Sequence, residues 1–374
     1  MKDNKKTVLC LPFMQITSGH HHVAQTLINE LNGLSHRPTC YSIDVLSYSF
    51  GHLEKVVSSA YLAWIKWLPR VYDWIYQRAA YNQTSRNNRY KLYEMMFIPF
   101  LKQLFQRKKP QIVFCTHALP SYVTSVLKQK NRLNALTVNV YTDFFVNRLW
   151  GIEGIDYHFV PTIAVKKDLM KRGVSEKRIF ITGIPIDHQL NEPSSEPNNK
   201  QHKILIAGGS LGVGALRDII WTVKKRRQIH YYVLCGKNKR LYNELIKSRL
   251  PHVTPFPYIT CRKKMNTLYN KVDGVLTKPG GVTLSECLLK RKPTFIYHPL
   301  PGQEKINVQQ LTHLGLVIPI ETKEKCVEQH MMHFFTNQKA QEELHKRFDA
   351  YHQHLETKRL GHLLEKLLEL APNS

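Results

Sequence analysis

The side chains best suited to chemistry lie in a glycine-rich stretch in the second half of the chain. The stretch begins Thr277-Lys278-Pro279-Gly280-Gly281-Val282-Thr283-Leu284-Ser285-Glu286 and ends Pro301-Gly302-Gln303-Glu304-Lys305-Ile306-Asn307. A strand that runs into paired glycines and then a helix lets the backbone approach a ligand, and the free helical N–H groups face phosphate. Glu286 is positioned to accept hydrogen bonds from ribose hydroxyls, although a helical glutamate is also commonly a solvated surface residue. The pattern predicts a nucleotide-sugar site.

A second glycine-rich turn, Gly208-Gly209-Ser210-Leu211-Gly212, follows an apolar run. Its main-chain N–H groups suit a diphosphate, but turns of this composition also serve packing alone. The turn lacks the Gly-x-Gly-x-x-Gly dinucleotide fingerprint with its following acidic residue, and it lacks the Gly-Lys-Ser/Thr of a P-loop. It is therefore weaker evidence for phosphate binding than the first stretch.

Three titratable residues in the first half follow or precede apolar runs. His20 ends a Thr17-Ser18-Gly19-His20 turn before a helical pattern, and a histidine can take a proton from an acceptor hydroxyl near neutral pH. Asp143 follows a strand-like run, where it can orient His20, act as the base itself or cap a helix. His117 ends another such run and is a candidate for acceptor contact. Because lone histidines are more often structural, a catalytic role for either histidine stays open.

These segments are positioned by strand-like runs that alternate with helical patterns, which predicts parallel sheets covered on both faces. The runs are 6–13, 41–46, 111–115, 136–141, 157–160, 203–207, 230–236, 273–276 and 293–297. We predict an α/β fold of two Rossmann-like domains facing across a cleft. The first spans 1–190, a polar linker spans 191–201 and the second spans 202–355. Residues 356–374 form a C-terminal helix, with the option that it packs back on the first domain.

The length and composition of the chain limit the classes of protein to which it can belong. With 374 residues, two domains of ordinary size are expected. The 54 lysines and arginines against 28 acidic residues give a net charge of +26, which attracts nucleic acid, an anionic membrane surface or phosphorylated substrates. Seven scattered cysteines without a Cys-x-x-Cys pair predict reduced cytosolic thiols and no zinc site. Apolar stretches are shorter than the ~18 to 20 residues of a membrane span, and 7–14 fits a buried strand better than a signal peptide.

Aromatic residues alternate with lysines and arginines between residues 54 and 81, and they include Trp64, Trp67 and Trp74. Such a mixture suits the interface of an anionic bilayer. The spacing of the apolar residues is also what a helix buried in the core has. Both interpretations stay open on these residues alone.

Several motifs, taken in order, resemble those of one glycosyltransferase family. They are Thr17-Ser18-Gly19-His20, Thr142-Asp143-Phe144, Gly183-Ile184-Pro185-Ile186 and Pro301-Gly302-Gln303-Glu304. They are similar to those of the lipid-directed glycosyltransferases that include monogalactosyldiacylglycerol synthases of plastids and processive diacylglycerol glucosyltransferases of Firmicutes. Lipid II-forming N-acetylglucosaminyltransferases are more distant relatives. The resemblance covers most of the chain and implies a GT-B-type enzyme that transfers a hexose from a UDP-sugar to a lipid, most simply diacylglycerol, with inversion. It implies a peripheral protein on the cytoplasmic face of the cell membrane.

The resemblance also implies roles for the candidate residues. The first domain would bind the acceptor and an anionic membrane surface through Trp64, Trp67, Trp74 and His117. His20 or Asp143 would assist deprotonation. The family has glycine where this chain has Thr17, and two more histidines follow His20, so the identity of the base stays open.

The second domain would bind the UDP-sugar. Within it, Glu286 would contact the ribose, and Gln303, Glu304 and Asn307 would contact the hexose. The full set is Gly208, Gly209, Ser210, Gly212, Lys278, Gly280, Gly281, Thr283, Glu286, Gln303, Glu304 and Asn307. Helix N-termini and Lys278 would offset the diphosphate charge, and no Asp-x-Asp motif lies beside the sugar site, so neither a metal nor a cofactor is expected.

Two other interpretations stay open. One is a relative that uses UDP-N-acetylglucosamine, either a transferase to a polyprenyl-linked acceptor or a 2-epimerase. The other is a nucleic-acid-binding protein, which the charge of +26 alone suggests. Because the chain has no recognisable nucleic-acid-binding module, we do not expect nucleic acid as a partner.

Overall fold

The structure, a computed structural model, describes residues 5–13, 19–50, 90–191, 201–208, 228–300, 302–320, 327–356 and 360–372. The chain divides into two compact units. The first contains Met1–Pro185 together with His354–Ser374, and the second contains Ile186–Gln353. The units divide at Pro185 and Ile186, where the sequence suggested residue 190.

The first unit is built on a six-stranded sheet with the order β2-β1-β3-β4-β5-β6. All of its neighbouring strands are parallel. The strands are β1 (Thr7–Leu11), β2 (Thr39–Ser42), β3 (Ile112–Cys115), β4 (Leu136–Val140), β5 (Tyr157–Val160) and β6 (Ile179–Ile181). The helices are Gly19–Asn32, Val45–Phe50, Lys91–Lys108, Ala118–Gln129, Ile163–Lys171 and Leu360–Leu370, with a 3₁₀ turn at Glu176–Arg178.

The central strands of this sheet are buried on both faces. Every residue of β3 and β4 is buried, as expected for a parallel sheet whose crossover helices cover it on both sides. The strands of such a sheet all end at the same edge. Side chains that follow β3 and β4 therefore lie near the start of the helix that follows β1, and this edge carries the first group of candidate residues.

The second unit contains another parallel six-stranded sheet, with the order β12-β11-β10-β7-β8-β9. Its strands are β7 (His202–Ala207), β8 (Ile229–Leu234), β9 (Val253–Phe256), β10 (Gly274–Thr277), β11 (Thr294–Ile296) and β12 (Ile318–Pro319). Its helices are Lys239–Ser248, Arg262–Lys271, Gly281–Leu289, Gln303–His313, Val327–Thr336 and Gln338–Gln353, with a 3₁₀ turn at His188–Asn191. The glycine-rich stretch follows β10, a central strand.

The C-terminal segment returns to the first unit. Lys166 Nζ lies 2.5 Å from Glu356 Oε1, and the Glu356 N–H donates to the Ile181 carbonyl at 3.0 Å. Near the chain start, the Lys6 ammonium donates to the Ala371 carbonyl at 2.9 Å. The helix Leu360–Leu370 buries four leucines, so its apolar face contributes to the core of the first unit.

The predicted α/β fold is confirmed, but the bounds of one predicted strand are wrong. Residues 41–46 were expected to be extended, whereas β2 ends at Ser42 and a helix begins at Val45. The Ser47 N–H donates to Asp44 Oδ1 at 2.8 Å, so Asp44 caps the first turn and ends the strand.

The sequence prediction missed β6, β9 and β12. They are short, and β9 contains Pro255, which is tolerated because β9 is an edge strand. A short run with an internal proline carries little periodic signal, so these strands were not recognisable from the sequence. Among the helices that the structure describes, none is long and apolar enough to cross a membrane.

Candidate functional site

His20 is held at the carboxyl edge of the first sheet by groups from two neighbouring strands. It lies in the first turn of the helix Gly19–Asn32. Its Nδ1 is 2.9 Å from the Thr116 carbonyl oxygen and 2.9 Å from Thr142 Oγ1. Thr116 directly follows β3, and Thr142 follows β4. The parallel sheet thus brings together residues that are far apart in the sequence.

These contacts determine which ring nitrogen of His20 carries the proton. A carbonyl oxygen only accepts hydrogen bonds, so the proton lies on Nδ1 when it bonds Thr116. In the neutral ring, Nε2 then carries a lone pair. Burial lowers the pKa of His20 to about 4, against the Thr116 hydrogen bond, which raises it. His20 is therefore a neutral imidazole near pH 7, with Nε2 able to accept a proton.

Asp143 lies at the same edge, half-buried, directly after Thr142. Of its three predicted roles, the helix cap is wrong, because residues 141–150 contain no helix. The contacts that orient His20 through Nδ1 come from Thr116 and Thr142. The other two roles, orienting His20 and acting as the base, stay predictions.

His117 lies beside His20. The two ring centroids are 4.7 Å apart and the rings are nearly perpendicular. Its Nδ1 accepts a hydrogen bond from the Leu119 N–H at 3.2 Å, which caps the helix Ala118–Gln129. The predicted candidates His20, Asp143 and His117 are thus gathered at one edge, while sequence reasoning missed the orienting role of Thr142.

The glycine-rich stretch of the second unit forms the expected strand, turn and helix. The helix Gly281–Leu289 follows β10, and no side chain caps it at Gly280. Gly280 has an ordinary φ of −74°, so the glycine is not required by the backbone angle. A Cβ added there would meet no atom of the described residues within 4 Å. The glycine therefore leaves open space in front of the first helical N–H groups, which is the arrangement that an anion needs.

The two ends of this stretch are joined by a buried amide. Asn307 is 1% exposed, and its Nδ2 donates to the Pro279 carbonyl at 3.2 Å. Gly302 has φ 81°, a left-handed conformation that favours glycine, and it precedes the helix Gln303–His313. Glu304 Oε2 accepts from the Leu300 N–H at 2.6 Å. Asn307 therefore positions the turn after β10, and sugar contact by Gln303, Glu304 and Asn307 stays a prediction.

Glu286 is buried rather than solvated. It is 7% exposed, with Oε2 accepting from the Tyr269 hydroxyl at 2.8 Å and Oε1 lying 3.3 Å from Arg262 Nη1. Burial raises the pKa of Glu286, and the charge of Arg262 and the hydrogen bond from Tyr269 oppose that rise. The interpretation of Glu286 as a surface glutamate is therefore wrong. Sequence reasoning missed Arg262 and Tyr269 because their helix precedes β10 and carries no motif.

A cavity of about 460 Å³ lies beside the helix Arg262–Lys271. It is lined by aromatic rings that include Tyr232, Phe256 and Tyr258. Lys264 and Lys271 also line it. With 100° per residue, these lysines lie on the helix face opposite Arg262 and Tyr269. The helix thus separates the cavity from the Glu286 carboxylate.

Some predicted site residues lie outside the described residues, namely Gly209, Ser210, Gly212, Trp64, Trp67 and Trp74. Gly208 directly follows β7, and Lys278, Gly281, Thr283 and Gln303 are half-buried around the turns after β10 and β11. Within the described ranges, no group of three or more His, Cys, Asp or Glu side chains is arranged to hold a metal ion.

Comparison with known proteins gives consistent results for both halves of the chain. Residues 20–186 match the family model of monogalactosyldiacylglycerol (MGDG) synthase, and residues 203–359 match the glycosyltransferase family 28 C-terminal domain. The uncharacterized glycosyltransferase YkoN of Bacillus subtilis (strain 168) is 40% identical over 99% of both chains. A processive diacylglycerol beta-glucosyltransferase of Bacillus pumilus (strain SAFR-032) is 26% identical over 99% of this chain and 95% of its own.

Solved structures share the fold. MurG of Acinetobacter baumannii superposes with a TM-score of 0.63 at 13% identity, covering 97% of this chain and 99% of its own. The glycotransferase of kitacinnamycin has a TM-score of 0.64 at 13% identity, with 98% and 100% coverage. These neighbours are GT-B glycosyltransferases, which confirms the predicted fold class. Because YkoN matches over nearly the whole length and the two family models match the two halves, the chain belongs to the glycosyltransferases of the monogalactosyldiacylglycerol synthase and processive diacylglycerol glucosyltransferase-like family.

Proposed function

We propose that this glycosyltransferase moves a hexose from a UDP-sugar to the free hydroxyl of diacylglycerol, with inversion, and so forms a glycolipid. The observation that carries the proposal is His20, whose Nδ1 is bound by Thr116 and whose Nε2 has a lone pair. A base of this kind suits a neutral hydroxyl acceptor. The names of the relatives support diacylglycerol as that acceptor.

In the proposed reaction, the acceptor hydroxyl gives its proton to His20 Nε2 while its oxygen bonds to the anomeric carbon. The bond from that carbon to the diphosphate oxygen breaks, and its electron pair leaves with UDP. Proton transfer to a positioned side chain typically contributes ~10²–10⁴-fold to the rate. Asp143, at the same sheet edge, is the alternative base.

The donor is assigned to the second unit. The uncapped N-terminus of Gly281–Leu289 and the lysine at 278 suit the diphosphate, and the turn 208–212 is proposed as a further contact. A carboxylate has about four lone-pair sites, so Glu286 can keep Tyr269 and Arg262 while it accepts a ribose hydroxyl. The hexose is assigned to Gln303, Glu304 and Asn307.

We assign the protein to the cytoplasmic face of an anionic membrane, where it binds peripherally. The net charge of +26 supports attraction to such a surface. On the helix Lys91–Lys108, Leu92 is 62% exposed and Met95 is 70% exposed. Exposed apolar side chains beside lysines suit the interfacial region of a bilayer. Trp64, Trp67 and Trp74 are proposed to contribute to the same binding.

The test is a donor panel. Purified protein is incubated with phosphatidylcholine vesicles containing diacylglycerol and, separately, UDP-glucose, UDP-galactose and UDP-N-acetylglucosamine, and the lipid products are identified by mass spectrometry. We expect a hexosyl-diacylglycerol and release of UDP, and a strongly reduced yield of both with His20→Ala. A free epimerised sugar nucleotide, or no glycolipid with any donor, would contradict the proposal.

A further inference from the structure

His117 is fixed in one tautomer by the helix that follows it. It occupies the N-cap of Ala118–Gln129 with extended backbone angles, φ −141° and ψ 150°. Its Nδ1 accepts the Leu119 N–H at 3.2 Å. Because that nitrogen supplies a lone pair, the neutral ring carries its proton on Nε2. His117 therefore presents an N–H donor on the side of the ring away from the helix.

The surroundings of His117 keep it neutral. One face stacks on Phe13, with ring centroids 4.9 Å apart and an interplanar angle of 19°. Burial and the neighbouring His20 and His21 hold the pKa of His117 well below its ordinary value. A helix N-terminus also disfavours a cation. The ring thus donates through Nε2 without becoming a charged group.

His117 and His20 consequently have opposite tautomers. The rings lie in contact, with centroids 4.7 Å apart at 89°. His20 has its proton on Nδ1 and a lone pair on Nε2, whereas His117 has its lone pair on Nδ1 and its proton on Nε2. Both side chains are half-buried, so this edge offers one hydrogen-bond acceptor and one donor side by side.

We infer that His117 Nε2–H donates to a second oxygen of the acceptor, next to the hydroxyl whose proton passes to His20. This inference rests on the proposed function and narrows its substrate class. The preferred acceptor is an alcohol with an ester or hydroxyl oxygen on the adjacent carbon, as in a diacylglycerol. A simple alcohol with a single oxygen has nothing to accept the bond and leaves a half-buried donor unpaired, which costs affinity.

Two substitutions separate this role from helix capping. His117→Asn keeps an oxygen at the cap position, where asparagine is among the best residues, but its side chain is too short to replace Nε2–H. His117→Gln is long enough to restore an N–H donor but gives a poorer cap. A purely structural His117 predicts a nearly neutral Asn variant and a damaged Gln variant. If His117 binds the acceptor, the Asn variant should have the higher acceptor KM and the Gln variant the lower one.

The experiment compares both variants with the wild type on phosphatidylcholine vesicles containing either 1,2-diacylglycerol or hexadecanol, using the UDP-sugar that the donor panel identifies. For His117→Asn we expect an acceptor KM about 10-fold higher with diacylglycerol, the size of one lost hydrogen bond. UDP affinity and Tm should stay unchanged. Hexadecanol should be used equally poorly by the wild type and His117→Asn, and His117→Gln should recover part of the diacylglycerol KM.

The outcomes distinguish this inference from the proposed function. A wild-type diacylglycerol KM in His117→Asn would overturn it. An equal loss on both alcohols with a shifted pH profile would also overturn it, because His117 would then act through His20. If the wild type glycosylates neither acceptor, the proposed function itself fails, and the assignment of His117 fails with it.

Discussion

His20 combines a fixed tautomer with a pKa below its ordinary value. Thr116 and Thr142 hold the Nδ1 side, and burial at the start of a helix disfavours the imidazolium. A base that is neutral at rest accepts a proton only when the attacking oxygen gives it up. The lowered pKa keeps His20 in the unprotonated form that a general base needs near pH 7.

Replacing His20 is expected to reduce turnover without weakening the binding of the donor. For His20→Ala we expect kcat to fall about 10²–10⁴-fold, the usual contribution of a positioned base, while the dissociation constant of UDP is unchanged. In the wild type, the rate should be lost as the pH falls toward about 4, because His20 is protonated with a pKa of about 4. Steady-state kinetics across pH and isothermal titration of UDP measure both effects.

The exposed His36 supplies the matched control. His36→Ala should retain the wild-type kcat and pH profile, since His36 precedes β2 and so lies toward the amino edge of the parallel sheet, whereas His20 lies at the carboxyl edge. A His20 variant with normal turnover would remove the base assignment from this residue and leave Asp143 as the candidate.

Glu286 depends on a phenol that the sequence pattern did not reveal. Glu286→Ala should weaken UDP binding by about 10-fold or more, since hydrogen bonds to a charged group are worth ~1.5–3 kcal/mol. Tyr269→Phe removes the 2.8 Å hydrogen bond to Oε2 and should weaken UDP binding by a smaller factor. Equal UDP affinity in the wild type and Glu286→Ala, measured by calorimetry, would contradict the ribose assignment.

At the scale of elements, the turn between β10 and Gly281–Leu289 shows why glycine occupies position 280. Its φ of −74° is open to any residue, and within the described parts of the chain a Cβ would meet nothing within 4 Å. Gly280→Ala should therefore change stability by less than about 1 kcal/mol, the cost of a poorer helix cap. It should nevertheless raise the donor KM, because the methyl group would occupy the space where the diphosphate approaches.

Thermal unfolding and donor KM, measured on the same preparation, test the Gly280 prediction. Gly361→Ala, in a helix of the other unit, controls for the general effect of glycine replacement. Its new Cβ would make ordinary contacts with Leu34 at 3.5 Å and Glu30 at 3.8 Å, and donor KM should not change. If Gly280→Ala binds the donor normally, the open space in front of the helix is not the diphosphate site.

The elements that bear motifs were predictable from the sequence, whereas the residues of other elements that contact the motif side chains were not. β10, its glycines and the following helix appear as a contiguous pattern. Thr142, Arg262 and Tyr269 acquire their roles only when distant elements meet in the fold. Arg262 and Tyr269 lie on a helix whose pattern is that of any amphipathic surface helix. No local rule distinguishes a tyrosine that holds a carboxylate from one that fills a core.

At the scale of the whole molecule, the chain crosses from the first unit to the second and then returns. His354–Ser374 belongs with the first unit, joined by the Lys166–Glu356 ion pair and by the buried leucines of Leu360–Leu370. The first unit is therefore completed only when the last residues of the chain are present. Its stability should depend on residues that lie beyond the whole second unit in sequence.

Two leucine substitutions, on helices that are consecutive in the sequence but belong to different units, test this dependence. Leu364 is fully buried in Leu360–Leu370, and Leu344 is 6% exposed in Gln338–Gln353. Each Leu→Ala change should lower the free energy of unfolding by about 2–5 kcal/mol. Leu364→Ala should act on the first structural unit and Leu344→Ala on the second. Urea unfolding with and without UDP separates them, because a ligand stabilises only the unit that binds it. Leu364→Ala should lower the transition that UDP does not shift, and Leu344→Ala should lower the one that UDP raises. If Leu364→Ala lowers the UDP-sensitive transition instead, the C-terminal helix stabilises the second unit and the division of the chain is wrong.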